Sequence, residues 1–180
     1  MVELSLVERV EALGSRPFSG RAWRHVRPQY PPLSGEGARA VGGRWNPPGS
    51  FPTLYLGLDV GVVTAEFYRH LARLGLRAED VLPRVMYLYD VRLSRVLDLR
   101  SPETWTDLGL TADRIRGRDQ RHCQAVSDAA HYLGMEGLIA PSAAGEGEIL
   151  VIFLDRQAPE SALHVGESET WTVPPESERS

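Results

Sequence analysis

Apolar residues recur along this chain in two periods, one helical and one strand-like, and the switches between them mark out its elements. Val7, Val10 and Leu13 share one helical face, behind Ser5 and Glu8 at capping-box spacing and ahead of Gly14, so a short amphipathic helix is expected first. Arg21 to Val26 reads as a short strand, after which Pro28, Pro31, Pro32, Gly35 and Gly37 predict a long irregular loop. Thr53 to Leu58 is a compact β-prone run. Asp59 can cap the helix that follows, whose Val63, Phe67, Leu71 and Leu74 recur at helical spacing.

Arg84 to Val91 and Arg95 to Leu99 read as two strands central to a sheet, since apolar side chains fall on both of their faces. Ser101-Pro102-Glu103 has the order of a helix start, and a longer helix is expected from about Asp119 to Leu133, before Gly134. Gly137 to Ala140 is a short buried strand ending at Pro141-Ser142, and the continuous apolar run Ile149 to Leu154 suits a core strand. From Gln157 the chain is rich in Pro, Ser and Glu, and from Glu167 to its end a flexible acidic tail is expected.

A chain of 180 residues, 42% of them hydrophobic, suits one globular domain with a real core. No apolar run could span a bilayer and no signal peptide is visible, so a cytoplasmic location is expected. The single cysteine, Cys123, excludes an internal disulfide and a multi-cysteine zinc site, and His122 beside it reads as a helix-surface residue; no structural metal is expected. All 20 basic residues counted as Lys plus Arg are Arg, which removes lysine Schiff-base chemistry and the P-loop lysine. The net charge of −4 argues against general nucleic-acid binding, and Arg114, Arg116, Arg118 and Arg121 lack the interleaved aromatics such a surface needs.

Candidate chemistry starts at Gly42-Gly43-Arg44-Trp45-Asn46-Pro47-Pro48-Gly49. A structural turn would use such residues, yet the loop can also present the forked donors of Arg44 to an anion and the flat face of Trp45 to a ring. Glu66 sits beside the apolar stripe of its helix, one turn before His70. A carboxylate there must be solvated, paired or functional, because an unpartnered buried charge is costly, and a salt bridge to an Arg would serve as well as a function. Ser142 lies at a strand end, a usual place for site residues.

Taken in order, Arg44, Tyr55, Glu66 and Ser142 resemble the RES domain, a family named for its Arg, Glu and Ser. The matching segments are the glycine loop, Leu54-Tyr55-Leu56, Thr64-Ala65-Glu66 and Ala140-Pro141-Ser142-Ala143, with Trp23-Arg24, Gln124 and Val151-Ile152-Phe153 in support. The resemblance runs from about Ala22 to Phe153 and implies a RES-like domain over residues 1–166, with 167–180 as the tail. It implies an α+β fold like that of ADP-ribosyltransferases, with mixed or antiparallel central sheets flanked by helices. The implied role is the toxin of a toxin-antitoxin system that degrades NAD at the nicotinamide-ribose bond, by hydrolysis or phosphorolysis. NAD would be substrate, with no further cofactor, and the partner an Xre-type helix-turn-helix antitoxin in a hetero-oligomer.

The resemblance makes Glu66, Arg44 and Ser142 the catalytic candidates, and Arg44, Tyr55, Trp45 and Ser142 the substrate-binding ones. The chemistry agrees. Cleavage of that bond builds oxocarbenium character on ribose, which a carboxylate such as Glu66 stabilises, while nicotinamide leaves as a neutral ring without a strong nucleophile. Arg44 would anchor pyrophosphate, Tyr55 would stack or hydrogen-bond near nicotinamide, and Ser142 would orient a ribose or phosphate oxygen. Two other readings compete: a protein mono-ADP-ribosyltransferase, and a non-catalytic module paired with a DNA-binding antitoxin. A serine hydrolase is set aside, because no nucleophile-elbow spacing surrounds Ser142.

Overall fold

A computed structural model of the chain describes residues 5–176. Helix α1 (Leu6–Leu13) starts on the expected capping box, Ser5 and Glu8 each accepting the other's backbone N–H, and stops at Gly14 with φ 73°. Strand β1 (Arg16–Val26) begins five residues before the local pattern predicts. Those residues pair with a distant strand, and Pro17 falls within the register shift between Arg16 and Phe18, where a missing N–H is tolerated. The expected irregular loop contains a short helix, α2 (Glu36–Val41), ended by Gly42.

Strand β2 (Thr53–Gly57) leads into α3 (Val60–Leu74), which Asp59 caps by accepting the N–H of Val62 and which Gly75 ends in the left-handed conformation. Val63, Phe67 and Leu71 of the expected stripe are buried, whereas Leu74 is exposed. One 15-residue strand, β3 (Arg84–Asp98), replaces the two expected. Pairing with β1 carries it through the polar Arg92–Ser94 stretch, a tertiary contact invisible to local periodicity. Helices α4 (Pro102–Leu108), α5 (Ala112–Arg116) and α6 (Arg121–Tyr132) precede β4 (Gly137–Pro141), β5 (Glu148–Phe153) and β6 (Ala162–Trp171).

The six strands form one mixed sheet in the order β1-β2-β5-β4-β3-β6, antiparallel except where β3 runs parallel to β4. Because β1 also pairs with β3, the sheet closes on itself. Arg92 faces Ser19 of β1 on one edge and Ala162 of β6 on the other, and Val96 likewise lies between β1 and β4. The long β3 therefore carries β6 and then β4 along one edge.

Strand alternation sorts side chains into two cores. Leu54, Leu56, Leu150 and Ile152 pack with Tyr89, Val91 and Ile139 inside the closed sheet, while Val151, Phe153, Leu138 and Ala140 face α1 and α6. With both faces of β5 covered, its uninterrupted apolar run is explained. A third cluster joins Phe67 and Leu71 of α3 to Met86 and Trp171.

That last contact corrects the tail boundary. Residues 167–171 belong to β6, Trp171 is buried, and the Pro175 carbonyl accepts the Tyr68 hydroxyl at 2.6 Å. An acidic, exposed strand lacks the apolar alternation that sequence reading needs, but it satisfies an edge of β3. The rest of the expected tail, 177–180, lies outside the described residues.

Candidate functional site

The glycine loop is pinned from three directions. Gly43 and Asn46 pair across a tight turn, and a Cβ on Gly43 would fall 2.5 Å from the Tyr55 hydroxyl, so only glycine fits. Gly42, with φ 74°, adopts a conformation that other residues resist. Fully buried Asn46 donates to the Ala38 carbonyl at 2.7 Å and accepts the Tyr55 hydroxyl at 2.7 Å, which itself accepts the Trp45 N–H at 2.9 Å. From α6, Gln124 donates to the Gly43 carbonyl at 2.9 Å and the Ser127 hydroxyl donates to the Trp45 carbonyl.

This frame sets Arg44 at the wall of a cleft, 7% exposed, its guanidinium donating to the carbonyls of Arg114 at 3.2 Å and Gly117 at 2.8 Å. Its charge has no carboxylate partner among the described residues. Tyr55 borders the same cleft with its hydroxyl engaged by the loop, and burial pushes that hydroxyl well above its ordinary pKa, so it stays protonated. Trp45 does not serve as a platform: its side chain is fully buried in the core between sheet and helices, and its ring N–H has no partner among the described residues. Its apolar bulk drives it inward, which removes it from the substrate-binding set.

Glu66 projects from α3 into the cleft and makes no ion pair among the described residues, so the salt-bridge alternative falls. One oxygen, Oε1, accepts the Ser142 hydroxyl at 2.6 Å and the Ala143 N–H at 3.0 Å. Both bonds hold the same oxygen, leaving Oε2 to act on a ligand. Ser142 is fully buried, and its hydroxyl also accepts the Ala144 N–H at 3.1 Å. Its hydroxyl is thereby turned toward Glu66 and fixes one oxygen of that carboxylate.

The cleft has a volume of about 610 Å³ and is bordered by Arg24, Arg44, Arg69, Arg73 and Arg84 against one carboxylate among the described residues, that of Glu66. A second cavity of about 540 Å³ adjoins it and shares Arg24, His25, His70 and Arg84. Burial lowers Arg84 to about 10, with the like charges of Arg27 and Arg24 adding to the effect, yet it remains a cation at neutral pH. Burial also lowers His25 to about 3, helped by Arg84, Arg24 and His70, so it stays neutral and accepts the Arg84 Nε–H at 3.1 Å.

Sequence reading omitted Arg69, Arg73 and Arg84 from the site and used Arg24 only as a matching residue. Arg69 and Arg73 carried a signal, for they follow Glu66 at helical spacing of three and seven. Arg84 carried none, because only the pairing of β1 with β3 brings it beside His25. A ligand suited to this cleft is extended, carries several negative charges, and develops positive charge at the end facing Glu66.

The RES domain family model matches residues 21–176. The chain is 38% identical over 156 residues to the NAD(+) phosphorylase MbcT of Mycobacterium bovis, an alignment that covers 86% of this chain and 84% of the relative. The protein of the same name from Mycobacterium tuberculosis matches with the same identity and coverage. Among solved structures, the crystal structure of the M. tuberculosis MbcT-MbcA toxin-antitoxin complex matches with a TM-score of 0.83 at 34% identity, covering 93% of this chain and 92% of that one.

Proposed function

Because the chain belongs to the RES domain family, we propose that it is a toxin that degrades NAD by cleaving the bond between nicotinamide and ribose, with inorganic phosphate as the acceptor. The observation that carries this reading is Glu66, a carboxylate fixed through one oxygen, free at the other, and alone among guanidinium groups. As the bond stretches, the ribose gains positive charge, and Oε2 stabilises it more than it stabilises the ground state. Nicotinamide departs neutral. The pyrophosphate of NAD meets the guanidinium groups of the cleft, with Arg44 on the loop side, and the adjoining cavity gives the second nucleotide half room.

In this scheme Glu66 is the catalytic residue, Ser142 positions it, and the Tyr55 ring forms part of the wall near nicotinamide. NAD enters as substrate, not as a resident cofactor. The partner is an antitoxin, of the Xre helix-turn-helix class on the family resemblance. Exposed apolar side chains at the mouths of the two cavities, Tyr30, Val41, Leu74 and Leu76, suit a protein that covers them. We place the reaction in the cytoplasm, where NAD is held; no helix among the described residues is long and apolar enough to cross a membrane.

The test is nicotinamide release from NAD by the purified chain, with and without phosphate, beside Glu66→Gln. Loss of an electrostatic contact of this kind costs about 10²–10³ in turnover. Wild-type cleavage that rises with phosphate and falls by that factor in the variant supports the reading. A folded, antitoxin-free chain that releases no nicotinamide refutes it.

A further inference from the structure

A phosphorylase must hold a second anion, and it must do so beside the carboxylate that stabilises the ribose cation. Unshielded, Glu66 would repel hydrogen phosphate from the place where it has to react. Arg69 lies one helical turn beyond Glu66 on the same face of α3, and Arg73 one turn further. Both border the cleft that holds Glu66, and neither borders the adjoining cavity, whereas Arg24 and Arg84 border both. Arg24 and Arg84 thus lie toward the adjoining cavity, while Arg69 and Arg73, like the loop residue Arg44, border the Glu66 cleft alone, and of these three only Arg69 and Arg73 share the helix of Glu66.

Resting on the reading of the chain as an NAD phosphorylase, we propose that Arg69, backed by Arg73, binds the acceptor phosphate and sets it beside Glu66. Arg69 is half-buried and makes no ion pair among the described residues. Its guanidinium is aimed through Nη2, which donates to the Arg116 carbonyl at 3.1 Å, leaving its other N–H groups for a ligand. The same turn at the end of α5 holds Arg44 through the carbonyls of Arg114 and Gly117. One backbone segment therefore orients two guanidinium groups around the carboxylate. Burial lowers the Arg69 pKa, Glu66 opposes that, and Arg44 and Arg73 add to it, as expected for a cation crowded into this corner.

The chemical step balances as a substitution. An oxygen of hydrogen phosphate forms a bond to the ribose carbon, the bond from that carbon to the pyridinium nitrogen breaks, and its electron pair leaves with neutral nicotinamide. The product keeps the pyrophosphate and carries a ribose 1-phosphate ester whose new phosphate is a monoanion, which then gives its proton to water. No oxidant or further reactant is required. Arg69 offsets the charge of the incoming phosphate until the bond forms, so its loss should weaken capture of phosphate more than capture of NAD.

The experiment varies phosphate at saturating NAD, and NAD at saturating phosphate, for wild type, Arg69→Gln, Arg69→Lys and Arg73→Gln. Arg69→Gln should raise the KM for phosphate at least tenfold and that for NAD less than threefold. Arg69→Lys should recover part of the loss because it keeps charge without the fork, and Arg73→Gln should raise the phosphate KM by about threefold. Equal rises in both constants, or a rise for NAD alone, overturn the assignment. Phosphorus NMR of inorganic phosphate titrated with the protein gives a readout independent of NAD cleavage. Line broadening by wild type that is lost in Arg69→Gln supports the site, while broadening retained in the variant or absent in wild type overturns it. A wild type that broadens phosphate but leaves NAD intact would refute the NAD reaction and keep the phosphate site.

Discussion

Replacing Ser142 by Ala should lower turnover without weakening NAD binding. The side chain is fully buried, so it offers no surface to a ligand, and its hydroxyl donates to Glu66 at 2.6 Å. A hydrogen bond to a charged group contributes about 1.5–3 kcal/mol. The Ala143 N–H would still hold Oε1, but the carboxylate would lose one of the two bonds that fix its rotamer. If that loss is felt in the transition state, about 1.4 kcal/mol for each factor of ten gives a fall in kcat of about 10- to 150-fold. The KM for NAD should stay within about twofold. Unfolding in urea should show a loss of about 1–2 kcal/mol, since the Ala144 N–H also loses its acceptor.

Steady-state nicotinamide release gives kcat and KM, and a double-mutant cycle with Glu66→Gln tests the route of the effect. With the carboxylate gone there is no charge left to orient, so Ser142→Ala should cost less than about twofold more. A raised KM with unchanged kcat would show that Ser142 touches the substrate, and full additivity in the cycle would show that it acts apart from Glu66. Either result would refute the positioning role.

Trp45→Ala should cost about 3–5 kcal/mol in urea unfolding as a large core cavity opens, whereas Trp45→Phe should cost far less because it keeps most of the ring volume while removing an N–H without a partner; equal costs would contradict the packing. Gly43→Ala should destabilise by about 1–3 kcal/mol by driving a methyl into the Tyr55 hydroxyl, and Tyr55→Phe should relieve part of it, as thermal unfolding of the single and double variants would show. Glu136 is a buried carboxylate: burial raises its pKa, but the nearby Ser161 hydroxyl and the N–H donors of Ala158, Arg95 and Ser94 together outweigh that and hold it below the ordinary 4.5. Its contribution is therefore full above that value and lost as pH falls through the lower folded one. Glu136→Gln should cost about 1.5–3 kcal/mol at neutral pH, and the gap from wild type should shrink in acid; a gap independent of pH would exclude the ionised carboxylate.

Sequence rules served best where the cause was local. Ser5 and Glu8 cap α1, Asp59 caps α3 and Gly75 ends it, because caps and stops depend on residues within a turn of one another. The order of Arg44, Tyr55, Glu66 and Ser142 could likewise be matched along the chain, and the cleft brings Arg44, Tyr55 and Glu66 to one place. Their duties could not be read so. Ser142 and Glu66 are 76 residues apart, and only the packing of α3 against the end of β4 turns the serine toward the carboxylate. Trp45 next to Arg44 looked equally available, yet the loop sends one side chain into the core and the other to the cleft wall. The acidic segment after Glu167 became a strand because β3 had an edge to fill, and Arg84 joined the site because β1 lay beside it. The chain by itself determines its caps, its turns and the periods of its helices and strands, since these follow from neighbouring residues. Burial, strand partners and the division of labour around Glu66 are decided only when distant segments compete for the same space and the same hydrogen bonds.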